Sequence, residues 1–134
     1  MSAPRMTKDE LPQSFGTFNP VDHVVLAFAD DSKAEAAARA LHQAGFGEAD
    51  LIAYSAAEKD NRMRAMIEHA SDAAGFGYEI SLMRRYQQLA RDGASWLIVY
   101  APEDEQGERV GDIAKQHGAL AAVKYHRLVV EDII

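Results

Sequence analysis

The feature that most constrains this sequence is an internal repeat. Residues 24–45 and 97–118 align without a gap when the chain is shifted by 73 positions. Each copy has an apolar run, an acidic turn and a helical segment that ends at a glycine, Gly45 in the first copy and Gly118 in the second. Glycine readily adopts the left-handed conformation that commonly ends a helix. The repeat therefore predicts two copies of one strand–helix unit.

The apolar run in each copy predicts a central strand. Residues His23–Ala29 and Trp96–Ala101 are apolar at nearly every position, which is typical of strands covered on both faces. Two more strands are predicted after the glycines, at Asp50–Tyr54 and Ala121–Leu128. In the last of these, apolar residues alternate with others such as Lys124, and this pattern is typical of an edge strand with one wet face.

Each copy also predicts a helix that packs on the sheet. The first helix, from about Ser32 to Ala44, has an apolar stripe at helical spacing. The stripe consists of Ala34, Ala37, Ala38, Leu41 and Ala44. The second copy has Gly107 and Gly111 in its stripe, although glycine is roughly 1 kcal/mol less favourable than alanine within a helix. We therefore expect the second helix to approach its neighbours closely.

Two such units predict a ferredoxin-like α+β sandwich. Right-handed crossovers, with the central strand first in each unit, give an antiparallel sheet of order 4-1-3-2. Residues 55–93 lie between the units and are too long for a plain loop. A capping box at Ser55 and an apolar stripe predict one helix to about Ala74, and a second stripe predicts another helix that ends before Gly93.

Composition limits the classes of protein and of site. Residues 1–21 contain three prolines and are expected to form a flexible arm, and residues 22–134 are expected to form a single domain. The net charge of −7 opposes binding to nucleic acid, and the absence of cysteine excludes disulfides and thiolate chemistry. Since no apolar run approaches ~20 residues and no signal segment is seen, we expect a cytoplasmic protein without a membrane span.

The two central strands also predict self-association. Both of their faces are apolar, whereas a ferredoxin-like sheet carries helices on one face only, and large exposed apolar patches are uncommon on monomers. The inserted helices, the last seven residues or the same sheet of a second subunit could cover the second face. We favour a homodimer, whose sheet-face candidates are Val25, Trp96, Ile98 and Tyr100.

The chain resembles the small bacterial general-stress and heat-induced-stress domains. The similar features in residues 77–119 are a helix with a tyrosine near its end, a glycine, a strand, an acidic turn, a helix and a closing His-Gly-Ala. The first half is similar in its apolar strand, its Ala- and Glu-rich helix and the pair Gly45-Phe46. The chain departs from the small glycine- and alanine-rich helix of many members, because it has the bulkier Met63, Arg64, Met66 and Ile67. The resemblance implies the ferredoxin-like fold and an association with stress physiology, and it implies no catalytic residues.

The chemistry-bearing residues predict neither a catalytic constellation nor a metal site. The five histidines have none of the usual ligand spacings, and Ser32 and Ser55 are better explained as helix caps than as nucleophiles. One cluster is of interest, because the start of the first strand should lie antiparallel to the end of the last strand. His23 and His126 could then be neighbours. If these two histidines share a face with Tyr100 or Tyr125, the residues would form a small pocket with acid–base capacity.

Three classes of function remain open. The first is a non-enzymatic, stress-associated or regulatory domain that self-associates through its apolar sheet face, and it is the one that we favour. The second is a regulatory module that binds a small molecule in a cleft. The third is an enzyme of the dimeric α/β-barrel kind, cofactor-free or haem-dependent, which has the same sheet topology. All three stay open because a fold alone does not determine function. In the favoured interpretation no cofactor is expected.

Overall fold

The computed structural model describes residues 13–14, 17–18, 21–54, 78–125 and 130–134. The strands are β1 (Gln13–Ser14), β2 (Thr17–Phe18), β3 (His23–Phe28), β4 (Leu51–Tyr54), β5 (Ser95–Tyr100), β6 (Ala121–Tyr125) and β7 (Val130–Asp132). The helices in this part of the chain are α1 (Asp31–Gln43), α2 (Tyr78–Arg91) and α3 (Asp104–Gln116), with a short 3-10 turn at Glu48–Asp50.

The strand–helix repeat is confirmed by the bounds of the two helices. The first residue of α3 lies 73 positions after the first residue of α1, and the last residues of the two helices have the same separation. This is the shift that aligns the two sequence copies. Asp30 caps α1 by accepting a hydrogen bond from the backbone N–H of Lys33 at 2.8 Å. Gly45 and Gly118 follow the helices with φ angles of 108° and 73°, so both adopt the left-handed conformation expected after a helix.

The main sheet is antiparallel, and its class is the α+β class that the sequence predicts. Its five strands lie in the order β4-β5-β3-β6-β7. The predicted four-stranded order 4-1-3-2 therefore does not describe this sheet as a whole. The difference arises because Val130–Asp132 adds a strand, in which Glu131 pairs with Lys124 and Asp132 pairs with Val123.

The strand β6 is not the edge strand that its alternating pattern predicts. It pairs with β3 on one side and with β7 on the other, and all five of its residues are buried. The polar residue in the alternation, Lys124, is only 3% exposed. The prediction was wrong because a pairing with residues near the end of the sequence leaves no trace in the period of β6 itself.

One face of the sheet packs against α1 and α3. Buried residues of β3 and β5 on this face include Leu26 and Leu97, which lie in one apolar cluster with Ala37 and Leu41 of α1 and Val110 of α3. The predicted stripes of both helices are thus the faces that they bury. A hydrogen bond from the Arg109 side chain to the backbone oxygen of Ala44, at 3.1 Å, also joins the two helices.

The opposite face is covered by α2, which lies within the predicted insertion. Trp96 contacts Tyr86 of α2 edge to face, with ring centroids 5.3 Å apart. Val25 and Ile98 are fully buried in the same cluster. Of the three covers that the sequence left open, the inserted helix is therefore the one found over these three residues, and their apolar character no longer favours a second subunit.

Three other predictions concern the N-terminal arm, the first inserted helix and membrane spans. The described part of the N-terminal arm contains the two-stranded hairpin of β1 and β2, which the sequence analysis did not predict. The first inserted helix, to about Ala74, lies outside the described residues. No helix among the described residues is both long and apolar enough to span a membrane.

Candidate functional site

His23 and Tyr100, two of the predicted pocket residues, lie side by side on the sheet. They are directly opposite each other in the pairing of β3 with β5, and their ring centroids are 5.1 Å apart. Directly opposite residues in an antiparallel pair project from the same face. His23 is 2% exposed and Tyr100 is half-buried, so the histidine lies at the inner side of this contact.

Tyr125 extends the same row on the other side of His23. The pairing of β3 with β6 matches Val25 with Val123, and the backbone N–H of Asp22 continues it by donating to the Tyr125 carbonyl at 2.8 Å. The Tyr125 hydroxyl lies 2.8 Å from the hydroxyl of Tyr86, which belongs to α2. His23, Tyr100 and Tyr125 therefore project from one face, which is the condition on which the sequence made its pocket depend, while His126 lies outside the described residues. We call this group the histidine row: His23, Tyr86, Tyr100 and Tyr125.

The environment of His23 favours the neutral imidazole. Burial lowers the pKa of His23 below its ordinary value of 6.5, and this effect outweighs two others that raise the pKa. These are the hydrogen bond to the Val21 carbonyl, 2.8 Å from Nδ1, and the charge of Asp22. A neutral histidine beside phenols is able to exchange protons, but the same contacts also serve to hold three strands and α2 together.

A second polar feature lies on the other face, under the first turns of α3. The ammonium group of Lys124 donates to the backbone oxygen of Glu103 at 3.2 Å and lies 4.0 Å from a carboxylate oxygen of Asp104. Its side chain is 4% exposed, whereas that of Asp104 is 98% exposed. A buried ammonium group is unfavourable unless it is well compensated, so this lysine needs an explanation.

The two glycines of α3 make room for this arrangement. A Cβ on Gly107 would lie 3.1 Å from both Cδ and Nζ of Lys124, and one on Gly111 would lie 3.2 Å from the backbone oxygen of Ile133. The close approach that the sequence predicts for α3 is therefore confirmed. Its partners are a lysine side chain and the residue that follows β7.

A cleft of about 800 Å³ opens beside these residues, between α3 and the end of the chain. Its lining residues are Asp104, Gly107, Glu108, Asp112, Lys115, Lys124, Glu131, Asp132, Ile133 and Ile134. We call it the lysine cleft. Sequence reasoning missed it because Lys124 was assigned to a wet edge. The pair Gly107 and Gly111 in the apolar stripe of α3 could have indicated it, because glycines at such positions leave room for a bulky neighbouring side chain.

Other polar residues near the helix ends have structural partners. Asp31 accepts a hydrogen bond from the Ser95 hydroxyl, which joins the start of α1 to the start of β5. Gln106 accepts from the backbone N–H of Glu103 at 2.9 Å, as in a helix cap. His42 Nδ1 lies 2.9 Å from the Phe46 carbonyl, where it stabilises the chain after α1. In the part of the chain that the structure describes, no three His, Asp or Glu side chains are arranged to hold a metal ion.

Comparisons with known proteins identified no relative of this chain. No protein-family model matches the chain, and neither the curated proteins nor the solved structures give a significant match.

Proposed function

We propose that this chain is a non-enzymatic regulatory domain that binds a small molecule in the lysine cleft. The observation that carries the proposal is the buried ammonium group of Lys124, which borders an open cleft of about 800 Å³. Ligand sites in proteins are typically clefts of roughly 300–1,000 Å³ with a few placed polar groups. A buried cation with a single hydrogen bond to the described residues, in the lining of such a cleft, is suited to bind an anionic group of a ligand.

A regulatory role is favoured over a catalytic one by the bonding of the other polar residues. Asp30 caps α1, and the Ser95 hydroxyl donates a hydrogen bond to Asp31. These contacts account for a serine and two carboxylates that would otherwise be candidates for a nucleophile or a general base. The proposal therefore uses the cleft for binding only.

We also propose that the domain is a ferredoxin-like variant with an added edge strand. The support is that β3 lies between β5 and β6, with β4 beyond β5, once β7 is set aside as an addition. An association with stress physiology, which the sequence resemblance implies, and a cytoplasmic location stay proposals of the same kind. A reporter of transcription or protein level after heat or osmotic stress would test the first.

Thermal-shift screening of the purified chain against a metabolite collection tests binding. A ligand at 100 times its Kd should add roughly 2.7 kcal/mol to the free energy of unfolding, which raises Tm by several degrees for a domain of this size. The same ligand should have little effect on Lys124→Met. The absence of any stabilising ligand, or an equal shift in the variant, would contradict the proposal.

The histidine row supports a second candidate, an enzyme or binding site of the dimeric α/β-barrel kind. The specific observation is that the imidazole of His23 and the paired hydroxyls of Tyr86 and Tyr125 lie within an otherwise apolar sheet face. A ligand bound there would lose its stabilising effect in His23→Asn and keep it in Lys124→Met. That pattern is the opposite of the one expected for the lysine cleft.

A further inference from the structure

We infer that the ligand of the lysine cleft is a small zwitterion, with a carboxylate that binds Lys124 and an ammonium group that binds the acidic rim. This inference rests on the proposed function, and it adds the chemical class of the ligand. It follows from three features of the cleft: the bonding of Lys124, the row of acids on α3 and the apolar end of the cleft.

The bonding of Lys124 leaves capacity for an anionic group. An ammonium group has three N–H donors. Among the described residues, Nζ donates one hydrogen bond, to the Glu103 carbonyl at 3.2 Å, while the Asp104 carboxylate at 4.0 Å is beyond hydrogen-bond distance. Since buried charged groups are usually well bonded, two unused donors beside a cleft favour a ligand oxygen at this point.

The rim of the cleft is mainly of the opposite charge, with Lys115 as its one cation besides Lys124 among the described lining residues. Asp104, Glu108 and Asp112 recur every four residues, so they form one row along α3 beside the two glycines. Asp104 lies in the first turn, where an acid suits the helix dipole. Glu108 and Asp112 are like charges at a spacing that destabilises a helix by a few tenths of a kcal/mol, so helix stability does not explain that pair. Glu131 stands directly opposite Lys124 in the pairing of β6 with β7 and also lines the cleft.

These two features together select the class of ligand. A simple anion would be repelled by the rim, and a simple amine would leave the donors of Lys124 unused. A molecule with both groups satisfies both parts of the cleft. Ile133 and Ile134 also line it and offer contact to an apolar body between or beside the charged groups. Apolar amino acids and short peptides have this combination.

Four matched compounds test the inference, with titration calorimetry on the full chain as the measurement. L-leucine and glycyl-L-leucine carry both charges, L-leucinamide lacks the carboxylate, and 4-methylpentanoate lacks the ammonium group. We expect binding of at least one of the two zwitterions, and binding at least about tenfold weaker for the other two compounds, because each lacks one charged hydrogen-bonding group.

Variants assign the two ends of the ligand. Lys124→Met and the exposed pair Glu108→Gln/Asp112→Asn should each weaken zwitterion binding by about tenfold or more. Lys33→Met, on the exposed side of α1, is the matched control and should bind normally. The acidic-pair variant changes exposed residues only, so it keeps the test valid if Lys124→Met fails to fold.

The outcomes separate the inference from the proposed function. Binding of L-leucinamide as tight as that of the zwitterions, with loss in the acidic-pair variant, would overturn the zwitterion and leave a ligand-binding cleft. Loss of zwitterion binding in Lys115→Met but not in Lys124→Met would overturn the role of Lys124. If no compound in this series or in the metabolite screen binds, both the inference and the proposed function fail.

Discussion

The hydroxyl groups of Tyr86 and Tyr125 lie 2.8 Å apart where α2 packs on β6. Tyr86 is fully buried and Tyr125 is 2% exposed, so this hydrogen bond is made away from water. It connects the inserted helix to the sheet through side chains 39 positions apart in sequence. The contact explains how a helix outside the two repeats comes to cover the second sheet face.

The tyrosine pair predicts non-additive effects on stability. Tyr86→Phe and Tyr125→Phe should each lower the free energy of unfolding by about 1 kcal/mol, because each removes the same buried hydrogen bond. The double variant should lose less than the sum of the two, with a coupling of at least about 0.5 kcal/mol in urea unfolding. Strictly additive losses would show that the hydroxyls do not interact.

The effect of Gly107→Ala on stability should depend on whether Lys124 is present. In the Lys124→Ala background, Gly107→Ala should stabilise the protein by about 1 kcal/mol through helix propensity. In the natural chain the new Cβ would lie 3.1 Å from the Lys124 side chain, so the gain should be smaller or reversed. Unfolding by urea in both backgrounds measures the difference. An equal gain in the two backgrounds would contradict the close contact.

Substitutions of Trp96 distinguish a role in the core of one chain from a role at a subunit interface. It is 4% exposed within one chain and packs against Tyr86, so Trp96→Ala should destabilise the fold by about 3–5 kcal/mol. The milder Trp96→Phe should stay folded and have the same mass by light scattering as the natural chain. A dimer that dissociates in Trp96→Phe would restore the subunit interface that the apolar strands predicted.

His23 predicts a pH dependence of stability. Because burial lowers its pKa in the folded state below 6.5, the unfolded chain binds the proton more readily. The contribution of His23 is therefore fully present above about pH 6.5 and is lost as the pH falls toward the lower folded pKa. Between pH 7.5 and 5, His23→Asn should lose less stability than the natural chain, as measured by urea unfolding.

The control for this prediction is His42→Asn, at an exposed position of α1. If this variant removes the pH dependence of the natural chain and His23→Asn does not, the buried imidazole is not the group responsible.

Much of the architecture could be predicted from sequence because it is local. The stripes that include Ala37 and Val110 fix two helices and the faces that they bury, and the apolar runs of β3 and β5 fix the two inner strands. The second inserted helix was also predicted, as α2. Each of these signals is contained within a single segment.

The errors concern contacts between distant segments. The pairing of Lys124 with Glu131 makes β6 an inner strand, and nothing in the alternation of β6 shows that pairing. The sequence left open whether the inserted helices, the last seven residues or a second subunit cover the face of Trp96, and it did not identify the contact with Tyr86. The lysine cleft was missed for the same reason, since it exists only once α3 lies over β6 and beside the residue after β7.

The most direct test of the lysine cleft is a ¹H–¹⁵N correlation spectrum of the labelled chain during titration with L-leucine or glycyl-L-leucine. A ligand in the lysine cleft should shift the amide signals of Gly107, Gly111 and Glu131 in a saturable manner and leave those of α1 residues such as Ala37 in place. Shifts confined to His23, Tyr100 and their neighbours, or no saturable shift at all, would contradict it.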